Sequence, residues 1–456
     1  EILWNVRWML TMQDPDDGGV YHKLTTPYFE PFVMPENATT VRFVVKKSTA
    51  AALDFAAVAA QSARVFEAFD DDVPGLADSC LAAALEAWRW ARQNPKVPYV
   101  QSAINVAFDP DITTGEYADS DFRDEFVWAA TELYATTRQD SFLTAVNLSY
   151  AGYAGVPTWA SVGTLAFYTL IRLRDELQGI GADAAEVAKS MIERLAENRS
   201  AGAESTAYRI VMGKSGSDFP WGSNSGAANQ AIALIYGYRL TGERRYLELA
   251  LANLDYLLGR NATSYSFVTG QGDKTPRFPH HRQSEADGVS DPVPGLLVGG
   301  PTAGPQDGCN YPSNFLAESY SDEVCSYTTN EIAINWNAAF AYLVTAIEAL
   351  EDEGAFTPVG IESVGLPQSA ALGIQSVYPN PFGDRTIVSF VVDRPQRVLV
   401  TLTDLLGRRL GDLLEIDARE GRNEVAVPGR PIAPGVYFVT ISGSNFRSSA
   451  KVIQAH

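Results

Sequence analysis

The spacing of apolar residues changes along this chain from a period of about 3.6 residues to a period of about 2, and this change constrains the fold most. Up to about residue 352 the pattern is helical, and after about residue 372 short segments alternate as strands do. The stretch between them is rich in Gly, Pro and Ser, as linkers are. The sequence therefore predicts a mainly α-helical domain at 1–352, a linker at 353–372 and a small antiparallel β-sandwich at 373–456.

Ten helices are predicted in the first domain. Their alanine-rich faces allow close packing, as in a ring of helical hairpins. Because the chain begins at Glu1 inside a helical pattern, and such rings commonly contain about twelve helices, we expect two further helices upstream. The predicted bounds are about 1–13, 48–69, 76–93, 121–137, 139–151, 158–178, 183–198, 224–241, 243–259 and 328–351.

The amino-acid composition narrows the classes of molecule that the protein can bind. A net charge of −20 without a basic cluster argues against binding to nucleic acid. No run of 18 apolar residues occurs, so no transmembrane segment is predicted. Aromatic residues make up 11% of the chain, with 8 Trp and 20 Tyr. This suits a protein that stacks on sugar rings or other planar groups, although large cores alone also explain it.

Three cysteines are too few for a disulfide scaffold. Cys309 and Cys325 bracket a loop rich in Pro, Asn and Ser, and they are the candidates for one disulfide. Two free thiols are the equal alternative at these positions. Cys80 lies inside a predicted helix and is expected to be a buried free thiol.

Two of the four histidines are adjacent in a long polar loop, VTGQGDKTPRFPHHRQSEADG, between apolar helices. His280, His281 and Arg282 can donate hydrogen bonds to hydroxyl groups in fixed directions. Such loops carry binding and catalytic residues on rigid scaffolds. The loop is therefore a candidate site, and a solvated surface pair of histidines is the alternative.

A second polar cluster lies in ESYSDEVCSYTTNEIAINWNAAF, where Asp322, Glu323 and Glu331 are close in sequence. We expect Glu331 in the first turn of the last helix, where a carboxylate also offsets the helix dipole. Its aromatic neighbours are Tyr320, Tyr327 and Trp336. These rings would exclude water and raise the pKa of Glu331, as a general acid requires. Two carboxyl groups flanking a bond, one of them protonated, is the arrangement of glycosidases.

These two loops resemble the two signature regions of glycoside hydrolase family 9, which comprises cellulases and related β-glucanases with an (α/α)6-barrel fold. The first, SFVTGQGDKTPRFPHHR, fits a pattern ending in Pro-His-x-Arg, and the second, YSDEVCSYTTNEIAINWNA, has the spaced aromatic, Asp, Glu and Asn residues. The similarity continues through MQDPDDGGVYHK, KSTAAALDFAAVAAQ, WGSNS and GGPTAGPQD. It implies an incomplete (α/α)6 barrel with about ten of its twelve helices in this chain.

The resemblance assigns a role to each matching residue. Glu331 corresponds to the general acid, and Asp322 to a carboxylate that supports the catalytic site through hydrogen bonds. His280 and Arg282 correspond to residues that bind the sugar next to the cleaved bond. Tyr327 matches the aromatic residue that precedes the acid in the second signature.

Two tryptophans, Trp159 and Trp221, lie where the family has stacking platforms in its substrate cleft. A core aromatic residue is an equal explanation for Trp159. The explanation is weaker for Trp221, because that residue belongs to the polar loop WGSNS.

The family mechanism implied for this chain is hydrolysis with inversion. A carboxylic acid protonates the leaving oxygen while an Asp roughly 6.5–9.5 Å away activates water on the other face of the sugar. In the family this Asp belongs to an Asp-Ala-Gly-Asp type motif that precedes the matched region, and no such motif occurs within this sequence. We therefore expect the base upstream of the given chain, and we expect the chain as given to be nearly inactive.

The resemblance also implies two metal sites, although no cofactor is required for the chemistry. Ser120, Asp121, Asp124 and Glu125 match a calcium-binding turn, and their oxygen atoms suit Ca²⁺. A helix cap followed by first-turn acids explains the same residues equally well. His22 matches a zinc ligand found in a subgroup of the family, whose other ligands would lie upstream.

The C-terminal segment resembles the sorting domain of the type IX secretion system of Bacteroidota. It has a YPNP opening, a D-x-x-G-R turn at Asp404–Arg408, a PGxY motif at Pro434–Tyr437 and a closing strand with a lysine. The resemblance implies a secreted or cell-surface protein whose partner is the secretion machinery. A β-sandwich that binds carbohydrate is the rival, and an expected lack of exposed aromatic residues on its strands counts against it.

The sequence thus predicts a secreted, inverting endo-β-1,4-glucanase that acts on cellulose or mixed-linkage glucan. An exo-acting family member, such as a cellobiohydrolase or a glucosaminidase, is the first alternative. A carbohydrate-binding protein that has lost catalysis is the second.

Overall fold

A computed structural model describes residues 2–304, 306–356, 372–404, 409–410, 414–428, 433–444 and 446–454. The chain separates into two compact units, residues 1–356 and 357–456. Most of the predicted linker, 357–371, and residues 405–408 of the predicted D-x-x-G-R turn lie outside the described residues.

The first unit is mainly helical, as predicted, and each of the ten predicted segments contains a helix. Two short strands, β1 (Leu24–Thr25) and β2 (Phe43–Val44), pair antiparallel. No helix in the described part of the chain is long and apolar enough to span a lipid bilayer. The helices are α1 (Ile2–Leu10), α2 (Thr49–Glu67), α3 (Leu76–Gln93), α4 (Gln101–Ala107), α5 (Arg123–Thr137), α6 (Asp140–Thr144), α7 (Gly163–Leu173), α8 (Ile180–Ser200), α9 (Ser223–Thr241), α10 (Arg244–Leu257), α11 (Arg282–Ala286), α12 (Tyr327–Asn330) and α13 (Ile334–Asp352).

The predicted helices differ from the structure in three respects. The segment 139–151 is α-helical only in α6, and beyond it the Asn147 side chain accepts a hydrogen bond from the Ser149 backbone, which turns the chain. The segment 328–351 is divided into α12 and α13 by extended residues. Helices α4 and α11 were not predicted, because both are short and lie within polar loops.

Five helices, α2, α5, α7, α9 and α13, line a central cavity of about 380 Å³. Because α2 lies beside this cavity and faces other helices on both sides, it is rich in buried alanines. Ser48 caps α2, its hydroxyl accepting a hydrogen bond from the Ala51 backbone. An ion pair between Arg64 and the buried Glu132 ties α2 to α5, and the Thr169 hydroxyl of α7 donates to the same carboxylate.

The N-terminal ends of these inner helices meet at one end of the unit. The Val162 backbone before α7 donates to the Asp124 carboxylate in the first turn of α5 (2.8 Å). The side chains of Asn224 in α9 and Asn337 in α13 both bond to the backbone of residues 297–298. The loops that precede these helices are therefore gathered around one opening, and the candidate site lies there.

The second unit is a β-sandwich, as predicted. Strands β3 (Gly373–Tyr378), β4 (Arg385–Val392) and β7 (Gly421–Pro428) form one antiparallel sheet, and β6 (Leu414–Ala418), β5 (Gln396–Thr403), β8 (Gly435–Ser442) and β9 (Arg447–Gln454) form the other. Apolar residues of both sheets, such as Phe390, Val400 and Val439, share one core. Tyr378 of β3 is 77% exposed and Phe438 of β8 is 37% exposed, so the expectation that these strands lack exposed aromatic residues is wrong at both positions.

Candidate active site

Glu331 lies in the extended segment between α12 and α13, with φ −70° and ψ 152°. Its carbonyl accepts a hydrogen bond from the Gly299 backbone (3.0 Å), and the Asn330 carbonyl accepts one from His280 (2.8 Å). The predicted position in the first turn of a helix is therefore wrong. The backbone around Glu331 pairs with two segments that are far away in the sequence, and this pairing keeps it extended. Helix α13 therefore begins only at Ile334.

The Glu331 side chain is half-buried and accepts one hydrogen bond from Trp221 Nε1 at 3.2 Å. Burial raises the pKa of Glu331, while the Trp221 hydrogen bond and the positive charge of Arg282 act in the opposite direction. The direction of the pKa shift agrees with the sequence prediction. A carboxyl group of this kind keeps its proton at higher pH than an ordinary glutamate does and can deliver it as a general acid.

His280 lies beside Glu331, because the two residues form a parallel backbone bridge. Its Nδ1 donates to the Val324 carbonyl at 2.6 Å, which leaves Nε2 as the acceptor nitrogen of a neutral ring. Burial lowers the pKa of His280 and favours this neutral form. Edge contacts with Phe32 and Tyr327 fix the plane of the ring, at centroid distances of 5.0 and 6.0 Å.

Asp322 has the hydrogen bonds that its predicted supporting role requires. Its carboxylate accepts from the backbones of Arg277 and Phe278 at 2.9–3.0 Å and from the Asn330 side chain at 3.2 Å. These donors belong to the loop before His280 and to the residue before Glu331. Asp322 therefore acts through its neighbours, as a positioning residue that holds the two signature segments together.

Arg282 is the first residue of α11 and points across the opening. Its Nε donates to the Glu30 carbonyl at 2.9 Å, and its guanidinium lies over the Phe32 ring, 5.9 Å from the centroid. Its charge is one of the two influences that lower the pKa of Glu331. The structure thus brings Glu331, His280 and Arg282 together, as the resemblance implied.

The two predicted platform tryptophans are both on the surface of the opening. Trp221 is 46% exposed and Trp159 is 54% exposed, which excludes a purely core role for Trp159. The Trp221 ring also packs against Tyr327, with ring centroids 5.5 Å apart. Exposed rings along a groove are suited to stacking on the apolar faces of sugars.

Tyr117 lies in the same surface groove as Trp159 and Glu331, and the sequence did not identify it as a site residue. Its ring contacts Trp159 edge-to-face at 5.8 Å, and the charge of Glu331 adds to burial in raising the pKa of Tyr117. Its backbone has φ +52°, a left-handed conformation that costs energy for a residue other than glycine. Such strain concentrates at functional sites. No sequence signal marks Tyr117 beyond its position in a polar loop.

His22 forms hydrogen bonds through both nitrogens of its ring, and the zinc site predicted at this residue stays a prediction. Its two ring nitrogens bond to the Ser48 hydroxyl (2.9 Å) and the Glu116 carbonyl (3.0 Å), and the ring stacks on Tyr99. The contact with Glu116 holds the residue next to Tyr117.

The four predicted calcium ligands do not converge on one point. Asp121 is exposed and forms an ion pair with Arg123, and Ser120 is also exposed. In the part of the chain that the structure describes, no three Asp, Glu, His or Cys side chains are arranged around a common metal position. The calcium site stays a prediction, and the adjacent Arg123 offsets the charge of Asp121.

Asp124 and Glu125 face inward, towards Asp54 of α2. Glu125 Oε2 and Asp54 Oδ1 are buried and have no hydrogen-bond partner. Burial and repulsion between the carboxylates raise the pKa of Glu125 to about 10 and that of Asp54 to about 8. Unsatisfied carboxylate oxygens are hard donors of the type that calcium prefers, so this donor set fits the ion chemically.

The disulfide prediction is confirmed: Cys309 and Cys325 are bonded, and their Cα atoms are 6.0 Å apart. Cys80 is a buried free thiol in α3, also as predicted. The Asp307 carboxylate accepts hydrogen bonds from Tyr311 and Thr328, next to the disulfide. These bonds anchor the loop to α12, directly before Glu331.

A half-buried carboxyl group with a raised pKa, beside exposed tryptophans, an arginine and a histidine on a helical scaffold, is the kind of site that glycoside hydrolases have. Residues 1–344 match the model for glycosyl hydrolase family 9, and the chain belongs to this family. Its fold is therefore the (α/α)6 barrel. Residues 376–455 match the secretion system C-terminal sorting domain, which indicates a secreted or cell-surface protein.

Among curated proteins, the chain is similar to a xyloglucan-specific endo-beta-1,4-glucanase of Bacteroides ovatus, with 44% identity over 77% of this chain and 60% of the relative. It is also similar to endoglucanase C of Cellulomonas fimi, with 34% identity over 83% of this chain and 35% of that protein. Among solved structures, a Bacteroides ovatus family 9 protein matches with a TM-score of 0.71 and 42% identity, over 76% of this chain and 62% of that one. The chain thus spans less than two thirds of the length of these relatives.

Proposed function

We propose that the protein is an endo-acting β-1,4-glucanase that cleaves its substrate with inversion, and that Glu331 is the general acid. The observation that supports this most is the half-buried Glu331 carboxyl group, with its raised pKa, in a groove of exposed aromatic rings. The two relatives are endoglucanases by name, and this supports action within a glucan chain.

In this proposal, the proton on Glu331 passes to the oxygen that joins two sugars as the bond breaks. The Trp221 hydrogen bond holds the carboxyl group in place and stabilises the carboxylate that remains. His280 Nε2 and the Arg282 guanidinium bind hydroxyl groups of the sugar next to the cleaved bond. The sugar rings stack on Trp221 and Trp159, which keeps the chain aligned along the groove.

Inversion also requires a second carboxylate that activates water. Of the groups that the structure describes, Trp221 and Arg282 shift the pKa of Glu331, and no carboxylate does so. We therefore assign none of the residues that the structure describes as the general base. We expect the 456-residue chain by itself to hydrolyse glucan very slowly.

Two further roles belong to the proposal. The C-terminal sandwich is recognised by the secretion machinery, in line with its match to a sorting domain. Asp54 and Glu125, each with a buried carboxylate oxygen that lacks a hydrogen-bond partner, contribute to the binding of a structural calcium ion. This ion stabilises the ends of α2 and α5 and takes no part in the reaction.

The stereochemistry of the product tests the mechanism. We expect the complete gene product to release the α-anomer first from a β-1,4-glucan, as followed by proton NMR in real time. Initial release of the β-anomer would show retention and reject the mechanism. An early fall in glucan viscosity is expected of an endo-acting enzyme, and its absence with continued sugar release would indicate an exo-acting one.

A second experiment uses the 456-residue chain. Azide is a small nucleophile that can replace activated water, so with an unactivated cello-oligosaccharide we expect slow formation of the α-glycosyl azide. This reaction still needs a proton for the leaving oxygen, and Glu331→Gln is expected to abolish it. If the unaltered chain and the Glu331→Gln variant formed equal amounts of the azide product, Glu331 would be rejected as the general acid.

A further inference from the structure

A recess of about 600 Å³ opens beside the groove, on the side of Arg282 and Tyr117. Both residues line the recess, and both interact electrostatically with Glu331. The recess therefore adjoins the groove close to the bond that is cleaved. Its volume lies in the range of pockets that hold small ligands, about 300–1,000 Å³.

The walls of the recess offer a hydrogen-bond acceptor, a donor and an aromatic face. Glu30 lines it, and one of its carboxylate oxygens is buried without a hydrogen-bond partner. Arg282 uses its Nε on the Glu30 carbonyl, and no other described group bonds to its guanidinium. Phe29 also lines the recess and is 63% exposed. A carboxylate, an arginine and an exposed ring together suit the hydroxyls and apolar face of a sugar.

The charged groups of the recess favour a neutral ligand. The Lys23 ammonium donates to Gln101, Thr114 and the Gly115 carbonyl, so its donors are already used. Burial lowers the pKa of His281 and keeps that ring neutral. Arg42 is exposed to solvent, where salt screens its charge. The unsatisfied Glu30 carboxylate requires a hydrogen-bond donor, which a hydroxyl supplies and an anionic group lacks.

We propose that this recess binds a neutral sugar that branches from the glucan main chain. The inference rests on the proposed function, because it takes the main chain to lie along the groove past Glu331. A sugar attached to a hydroxyl of the main chain projects sideways, and the recess lies at the side of the groove. The branch sugar stacks on Phe29 and donates a hydroxyl to Glu30, so the substrate class is a branched β-1,4-glucan.

Calorimetric binding to the 456-residue chain tests the inference without requiring turnover. The probes are a cello-oligosaccharide and the xylose-branched oligosaccharide with the same main chain. We expect the branched probe to bind about tenfold more tightly, which corresponds to about 1.4 kcal/mol. Phe29→Ala and Glu30→Gln should each reduce this preference at least about threefold and leave the affinity for the unbranched probe unchanged.

Two matched variants on the same loop serve as controls. Tyr28→Ala removes an exposed ring and Glu36→Gln an exposed carboxylate, and neither residue lines the recess. Both should keep the preference of the unaltered chain. Phe29 and Tyr28 are surface side chains, so thermal unfolding temperatures of the variants should agree within a few degrees.

The outcomes separate the two proposals. Binding of both probes with equal affinity, or a preference that survives Phe29→Ala and Glu30→Gln together, would reject the branch site and leave the glucanase function standing. Binding of neither probe would reject the glucan-binding groove and, with it, the branch site.

Discussion

Two regions of the helical unit contain a glutamate whose pKa is raised by burial, and they differ in what surrounds the carboxyl group. Glu331 lies at a groove, accepts a hydrogen bond from Trp221 and is close to the positive charge of Arg282. Glu125 is enclosed, has an oxygen without a partner and is repelled by Asp54. A raised pKa alone therefore does not identify a general acid. Access for a substrate and a partner that stabilises the ionised form make the difference.

The largest expected effect is the loss of activity on replacing Glu331, and it distinguishes Glu331 from Glu125. In the complete gene product, Glu331→Gln should lower the rate of glucan hydrolysis by about 10²–10⁴-fold, because the leaving oxygen no longer receives a proton. An aryl glycoside with a nitrophenolate leaving group needs no proton and should be cleaved at a rate close to normal. Glu125→Gln is the matched control, and it should leave both rates within about twofold. If Glu331→Gln hydrolysed glucan at the normal rate, Glu331 would not be the general acid, and the two glutamates would not differ in this function.

Asp322→Ala tests whether the Glu331 region depends on its supporting hydrogen bonds. Two backbone donors and the Asn330 amide lose their acceptor, which should cost about 1–3 kcal/mol of unfolding free energy. The His280 loop is then less well fixed, so kcat/KM should fall while the product keeps its anomeric configuration. Glu323→Ala, at the exposed neighbouring position, should change neither quantity. Equal effects of the two substitutions would contradict the positioning role.

Calcium and pH test the Glu125 region. The pKa of Asp54 is raised from 3.8 to about 8 and that of Glu125 from 4.5 to about 10, so the folded protein binds these protons more tightly than the unfolded chain does. Their contribution to stability is complete below about pH 4 and is lost as the pH rises through 8 and 10.

Calcium should therefore raise the unfolding temperature by several degrees at pH 8 and by little at pH 5, because the ion replaces the protons. Differential scanning calorimetry with calcium or with a chelator measures this. Glu125→Gln should raise the unfolding temperature at pH 8 without calcium and should weaken the response to the ion. A calcium response of the same size at both pH values would contradict the assignment.

The smallest expected effect concerns the Trp221 hydrogen bond. This bond lowers the pKa of Glu331, so Trp221→Phe should raise that pKa and move the alkaline limb of the kcat profile to higher pH. Trp159→Phe alters a ring that does not bond to Glu331 and should leave the limb in place. A shift of the limb to lower pH in Trp221→Phe would mean that the hydrogen bond does not stabilise the carboxylate.

The sequence predicted those parts of the structure that depend on local pattern. Helix α2 follows from its Ser48 cap and alanine-rich face, and α3 from its periodicity up to Asn94. The extended conformation of Glu331 could not be predicted, because segments far away in the sequence impose it. The Trp221–Glu331 hydrogen bond likewise joins residues 110 positions apart.

Residues whose function depends on conformation were the hardest to find. Tyr117 has an ordinary sequence context, and only its left-handed backbone and its contact with Trp159 mark it. For His22, residue type suggested a metal ligand, and the structure shows that hydrogen bonds to Ser48 and Glu116 occupy both nitrogens. Residue type alone could not indicate these hydrogen bonds, because both partners lie far from His22 in the sequence.

The Cys309–Cys325 bond links maturation of the enzyme to its route out of the cell. Thiols of this kind pair in oxidising surroundings and stay reduced in the cytoplasm. The segment that leads to Glu331 is thus cross-linked only once the polypeptide has left the reducing cytoplasm. Protein retained in a reducing interior would carry an open loop at this point, and a laboratory host with an oxidising compartment is the appropriate source of the mature form.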